Sequence, residues 1–204
     1  MQRYRARCQS FFDSLWPGER KPLVFGEGQE VRPPVMLIGE APGEQETLQG
    51  HPFVGKAGKN LDGFLRVVGI RREDIYITNV VKIRPTKVSP KGSVSNRPPS
   101  REELMLFAPW LMEEILLVRP RRIVTLGNVP LKALLGRGEV IGGCHGQRRE
   151  AVVTHEGDSM TVEVFPLYHP ASIIYNRSLT QTYEEDLEKL RTLMDAEDCL
   201  SIQT

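Results

Sequence analysis

Four side chains in this sequence have the types and placements to hold and act on one flat polar ring. They are Glu40, Phe53, Asn79 and His169: a carboxylate, an aromatic, a planar amide and an imidazole. Glu40 stands in Gly39-Glu-Ala-Pro-Gly43, where small residues let backbone approach a ligand closely. Its carboxylate either orients a water or steadies a positive centre, or else caps a neighbouring helix. Phe53, between Pro52 and Val54, is either a core plug or a stacking platform. The Asn79 amide offers one acceptor and two donors in a fixed plane, which suits a pyrimidine edge as well as a structural strand end. His169 precedes Pro170, which holds the histidine's backbone extended and presents the imidazole forward. His145 and His155 fall in or beside a hairpin, where exposure is expected. Cys144-His145 has no third ligand nearby and makes no metal site.

These residues need elements that bring them together, and apolar runs alternating with amphipathic ones supply them. Val35-Met-Leu-Ile38 reads as a strand buried on both faces and closed by Gly39. Leu61, Phe64, Leu65 and Val68 recur at helical spacing before Gly69. Ile75 to Val81 is a second buried strand. Ser100 opens a helix with a capping-box spacing to Glu103, running to Val118 before Pro120. Arg122 to Leu126 is a third strand, followed by a short helix to about Leu135. Val152 to Thr154 and Met160 to Leu167 flank a turn at Glu156 to Ser159, predicting a hairpin. A last amphipathic helix runs from Thr182 to Met194.

The pattern is β-α-β-α-β, which implies a mostly parallel sheet covered on both faces. Ligands of such sheets bind at the carboxyl ends of the strands, where Glu40, Asn79 and His169 all fall. No internal repeat or linker divides the chain, so residues 1–204 are expected to form a single domain. The only long loop, Lys82 to Pro99, exceeds a plain connector and is functional or disordered.

With 27 Lys+Arg against 26 Asp+Glu the net charge is only +1, but the charges are segregated. Lys82, Arg84, Lys87, Lys91, Arg97 and Arg101 follow one another with no acid between them, whereas the stretch from Glu184 to Asp198 carries seven acids against Lys189 and Arg191. A local basic loop serves a polyanion even on a neutral molecule, or is simply a solvated surface. No run approaches the roughly 20 apolar residues of a membrane span. The basic N-terminus lacks a secretory apolar core, and three cysteines build no disulfide framework, so an intracellular, cytoplasmic chain is expected. Gly50-His-Pro-Phe-Val-Gly-Lys56-Ala57 matches a P-loop up to its last position. Ala57 lacks the hydroxyl that would ligate magnesium, and the nearest strand ends well upstream, which argues against nucleotide hydrolysis. A ring pocket beside a cationic loop points instead to chemistry on a base lifted out of nucleic acid.

At this point the sequence resembles the uracil-DNA glycosylase superfamily, and within it the thermophile-type, family 4 members. The resemblance is carried by Gly39-Glu-Ala-Pro-Gly43, Pro52-Phe-Val-Gly-Lys-Ala-Gly58, Tyr76-Ile-Thr-Asn-Val-Val-Lys82, Leu126-Gly127 and His169-Pro170-Ala171. It implies an α/β fold, a three-layer α/β/α sandwich around a central, mostly parallel four-stranded sheet, and hydrolysis of the uracil–deoxyribose bond. Phe53 then stacks on the extruded uracil, with Ala41 also at the substrate, and Asn79 bonds its polar edge. Glu40 lies near the sugar and the attacking water, and His169 donates to uracil O2. The stretch Pro170-Ala171-Ser172 wedges into DNA, while Lys82, Arg84, Lys87, Lys91 and Arg97 meet phosphates. The expected partner is uracil-containing DNA, with no membrane and a monomeric state; the rival reading is a non-catalytic DNA-binding relative.

Two departures stand out. The family carries an iron–sulfur cluster on four cysteines, but Ile83 and Phe107 occupy two of those positions and Cys8 has no partner three residues on. No cofactor is therefore expected, and Ile83 and Phe107 should form a packed plug. The second departure is an insertion, Thr86 to Ser95, inside the basic loop.

Overall fold

The computed structural model describes residues 1–201. The side chains of Ile174, Tyr175 and residues 197–201, Cys199 among them, lie outside that description. In chain order the elements are α1 (Gln2–Leu15), β1 (Glu27–Gly28), β2 (Val35–Gly39), α2 (Glu44–Gln49), α3 (Lys56–Val68), β3 (Tyr76–Asn79), β4 (Thr86–Val88) and β5 (Val94–Asn96). They continue with α4 (Arg101–Val118), β6 (Arg122–Leu126), α5 (Asn128–Leu135), α6 (Ile141–Cys144), β7 (Arg149–His155), β8 (Asp158–Leu167), α7 (Pro170–Tyr175) and α8 (Thr180–Ser201).

The apolar runs become the strands at the centre. β2 is buried at every position, and its side chains alternate between two cores. Met36 and Ile38 join α1 and α4 in one, around Phe12, Phe107, Leu111 and Ile115. Val35 and Leu37 face the other, built on Leu61, Phe64 and Leu65 of α3 and Leu187 and Leu190 of α8. That division is the three-layer sandwich the sequence implies. The sheet, however, has six strands in the order β1-β3-β2-β6-β8-β7 rather than four. The inner four, β3-β2-β6-β8, are parallel throughout; two-residue β1 and the hairpin strand β7 extend the edges antiparallel. Glu156 and Gly157, both with positive φ, make the two-residue turn between β7 and β8, tighter than the four-residue turn expected.

Local signals end the helices as anticipated. Gly69 adopts the left-handed conformation after α3 and returns its N–H to the Leu65 carbonyl. Ser100 Oγ accepts from Glu103 N, and Glu103 reaches back to the Ser100 amide, closing the capping box of α4. The long loop is not structureless: its insertion folds into the antiparallel hairpin β4–β5. None of the described helices is long and apolar enough to cross a membrane.

Chain order explains where a cleft must open. From β2 the chain passes through α3 on one face to β3; from β3 it passes through α4 on the opposite face to β6, on the other side of β2. Crossovers that part to opposite faces leave a crevice at the carboxyl ends of the strands between them.

Candidate active site

The crevice is a cleft of about 600 Å³ at those strand ends, lined by Ala41, Phe53, Asn79 and His169 together with Glu46, Lys56, Arg84, Asn96 and Ala171. Three of the four residues singled out for chemistry thus share one cavity.

Gly39 is the point where two of them converge. It pairs with Asn79 across the β2–β3 ladder. A methyl group on Gly39 would lie 2.5 Å from Asn79 Oδ1 and 2.5 Å from the tip of the Phe53 ring, so only glycine lets both approach. Asn79 is nearly fully buried, yet its side-chain amide has no partner among the described residues. A buried amide left open towards a cleft is ready for a ligand, because leaving it unpaired is otherwise costly.

Phe53 is 6% exposed, with its ring at the cleft and its centroid 6.4 Å from that of His169. Its backbone is held in the left-handed region, φ 53°, a costly conformation for a bulky residue. Two side chains enforce it. The Glu46 carboxylate accepts from the amides of Val54 (3.1 Å) and Gly55 (2.7 Å) on one side and Gly43 (3.1 Å) on the other. Arg72 donates to the carbonyls of Pro52 (2.6 Å) and Phe53 (3.2 Å). Gly58 allows the turn, since a Cβ there would meet the Phe53 carbonyl oxygen at 2.0 Å. Neither Glu46 nor Arg72 was singled out by type; the spacing Gly43-x-x-Glu46 at a helix start is the signal that reveals the first.

His169 caps α7: its Nδ1 accepts from the Ala171 amide at 3.1 Å. An acceptor at Nδ1 leaves the proton on Nε2, so the neutral ring has one remaining donor. Burial pushes the His169 pKa down and favours that neutral form. Glu40 does not line the cleft; it is half-buried beside Ala41, its carbonyl accepts from the Val81 amide (3.1 Å), and its carboxylate has no hydrogen bond or ion pair among the described residues. Burial raises its carboxyl pKa.

Two sequence expectations fail on burial. Lys82 is no phosphate contact. It is fully buried, and its ammonium donates to Glu114 Oε2 (2.5 Å), Thr78 Oγ1 (2.6 Å) and the Asn79 carbonyl (2.7 Å). Glu114 completes the network by accepting from Tyr76 and Thr78. A cation beside a strand end pairs inward when an acid from the overlying helix meets it, and here it fixes the strand that carries Asn79. Pro170 is likewise buried, and the segment after His169 is the short helix α7 rather than an extended wedge. Proline suits that first helical position, where its missing N–H is no loss. Ala171 and Ser172 stay half-buried, Ala171 at the cleft.

Of the remaining basic residues, Arg84 lines the cleft. Lys87 and Lys91 are exposed; Arg84 pairs with Asn96 and Glu44, and Arg97 with Glu103. Away from the cleft, Ile83 and Phe107 are buried in the same apolar cluster as Cys8 and Phe12, and Phe12 stacks on Phe107 with centroids 4.4 Å apart. Burial pushes the Cys8 thiol up to about 12, away from the thiolate a metal would need. One sulfur among these side chains does not fit a four-thiolate cluster.

The parallel-sheet crevice is lined by a buried amide without a partner among the described residues, a strained aromatic and a histidine with its Nε2 free to donate, groups chemically suited to a planar polar ring. The sequence model of the Uracil DNA glycosylase superfamily matches residues 25–191, and the chain belongs to that superfamily. Among its relatives is the Type-4 uracil-DNA glycosylase of Saccharolobus solfataricus, 36% identical over 93% of this chain and 83% of the relative. The Type-4 enzyme of Pyrobaculum aerophilum is 40% identical over 82% and 81%, and that of Thermotoga maritima 35% over 87% and 86%.

Proposed function

We propose that this chain is a uracil-DNA glycosylase that hydrolyses the bond between uracil and deoxyribose in DNA, the opening step of base excision repair. The observation that carries the reading is the meeting of Phe53, the unpartnered Asn79 amide and the Nε2–H of His169 in one cleft. Relatives named for this activity, alike over most of both chains, support it. The extruded uracil stacks on Phe53 beside Ala41. Asn79 accepts from N3–H and donates to O4, a pairing that cytosine reverses and so forfeits.

Cleavage leaves the bonding electrons on uracil and an oxocarbenium-like sugar. The Nε2–H of His169 donates to O2 as charge gathers there, a contribution of about 3–4 kcal/mol on the scale of oxyanion donors. Ionised Glu40 steadies the sugar cation and orients the water that attacks it. Arg84, Lys87, Lys91 and Arg97 supply salt-dependent attraction to phosphates.

The reading includes a monomer acting in the cytoplasm without an iron–sulfur cluster, since the plug of Cys8, Ile83 and Phe107 leaves one sulfur where four are needed. The test is an oligonucleotide with a single uracil, incubated with the protein and then treated with alkali. Scission at the uracil is the expected result, undiminished by chelator and without stoichiometric iron in the protein. Retarded migration without scission overturns the catalytic reading in favour of a binder. Asn79→Ala and His169→Ala should each slow excision about a hundredfold or more while the fold is kept.

A further inference from the structure

One apolar surface is left uncovered by the described residues. The hairpin β4–β5 has no third strand, and its register pairs Thr86 with Asn96, Lys87 with Ser95 and Val88 with Val94. Side chains alternate between the faces of a strand. Val88 and Val94 therefore share a face with Asn96, while Lys87 points to the other side. Val88 is 67% exposed and Val94 53%. An isolated two-stranded hairpin is marginal in water, so this one is held at both ends. At its base Arg97 returns its amide to the Pro85 carbonyl (3.1 Å) and its Nε to the Thr86 carbonyl (3.0 Å). At its tip Ser89 and Ser93 join through their backbone (2.9 Å) and hydroxyls (2.7 Å).

Two observations indicate what covers the valines. The face is continuous with the cleft: Asn96 lines the cleft and accepts from Arg84 Nε at 2.7 Å. Val94 lies two residues back along the same strand, about 7 Å further out. The second is charge. Lys87 and Lys91 form no ion pair among the described residues, and no acid occurs from Lys82 to Arg101. A partner that is anionic along its backbone and presents flat apolar faces beside the cleft satisfies both.

We propose that the Val88–Val94 face is a docking surface for the DNA strand flanking the extruded nucleotide. The two isopropyl groups pack against the sugar and base of the neighbouring nucleotide, while Lys91 at the hairpin tip and Lys87 on the opposite face meet phosphates elsewhere on the DNA. The assignment rests on the reading of the chain as an enzyme of uracil-containing DNA.

The test uses the full chain with Val88→Thr and Val94→Thr together. These changes keep the β-branched shape on exposed positions and remove only the apolar character. Single-turnover excision is followed as DNA is titrated, with 2-aminopurine placed next to the uracil as a stacking reporter. The expected result is a half-saturating DNA concentration raised about tenfold, a nearly unchanged maximal rate, and a weakened 2-aminopurine response. Lys87→Gln with Lys91→Gln should instead lower the slope of log affinity against log salt by about two on duplex, slightly less on single strands. Unaltered half-saturation and reporter signal in the valine variant, with wild-type excision intact, refute the docking face alone. A wild-type protein that excises nothing refutes the enzymatic reading, and binding anisotropy on the same DNA then decides the docking face. Dimers of the wild type that the valine variant dissolves would mean that the face pairs two copies of this chain, and would also overturn the proposal.

Discussion

Removing the carboxylate of Glu46 should disable the stacking platform more than it weakens the fold. Glu46→Ala takes the acceptor from three amides at 2.7 to 3.1 Å. Hydrogen bonds to a charged group contribute about 1.5–3 kcal/mol each when the freed donor stays dry. Here the donors belong to loops bordering the cleft and water can replace the carboxylate, so the expected loss of stability is only about 2–3 kcal/mol in all. The local effect is larger because Phe53 is strained. A left-handed phenylalanine costs about 1–3 kcal/mol and persists only where its surroundings insist on it. With one clamp gone and only Arg72 and Gly58 left, relief of that strain competes with the platform conformation. Once the relaxed conformer lies about 1.4–2.8 kcal/mol below the platform conformer, the competent fraction is lowered ten- to a hundredfold. Excision under single-turnover conditions should fall by that factor at a temperature where circular dichroism reports a fully folded protein. Glu46→Gln, which keeps one acceptor oxygen, should lie between. The discriminating measurement is a double-mutant cycle with Phe53→Ala. If Glu46 acts through Phe53, the second change adds little once the first is made. Additive losses, or a wild-type rate in folded Glu46→Ala, would refute the clamp.

Other outcomes are equally specific. Lys82→Met strands the Glu114 carboxylate in the core and should cost about 3–5 kcal/mol in denaturant unfolding, with Lys82→Met/Glu114→Leu recovering much of it. Neither variant should change the salt dependence of DNA binding, whereas a phosphate contact would. Excision should fall as the pH drops through the Glu40 pKa, which burial lifts above the ordinary 4.5. In Glu40→Gln the slower residual reaction should lose that limb. Phe107→Ala removes a stacked, fully buried ring and should cost about 3–5 kcal/mol in thermal or denaturant unfolding, without bringing in iron.

The parts of this architecture legible in the sequence are those whose signals are local. Val35 to Ile38 is apolar at every position because both its faces are covered, and Ser100 with Glu103 announces a helix start within four residues. Asn79 and His169 could be brought to one cleft because each stands at the end of such a strand, whereas Glu40, at the end of β2, lies beside the cleft lining rather than in it. The helix α1 is less visible: its buried stripe of Tyr4, Cys8 and Phe12 is one residue wide per turn and gains its meaning only against Phe107 and Trp110. The edge strand β1 is two residues long, too short to leave a period. Lys82 was misjudged because its partner, Glu114, lies thirty-two residues away on α4. A row of cations reads as surface until the fold turns one of them inward. The hairpin β4–β5 hid for the opposite reason, since its strands are exposed on both faces and show no apolar alternation.

The ladder between β2 and β3 has a further consequence. Gly39 stands opposite Asn79 through paired backbone, so the spacing between amide and ring is counted in whole residues. A slip of one position would carry Asn79 about 3.3 Å along and turn its side chain to the far side of the sheet. Placement errors here are therefore discrete, with nothing between a finished site and none. Gradual adjustment of substrate preference is left to the loops that enclose the ring, while the strands act as a fixed ruler beneath them.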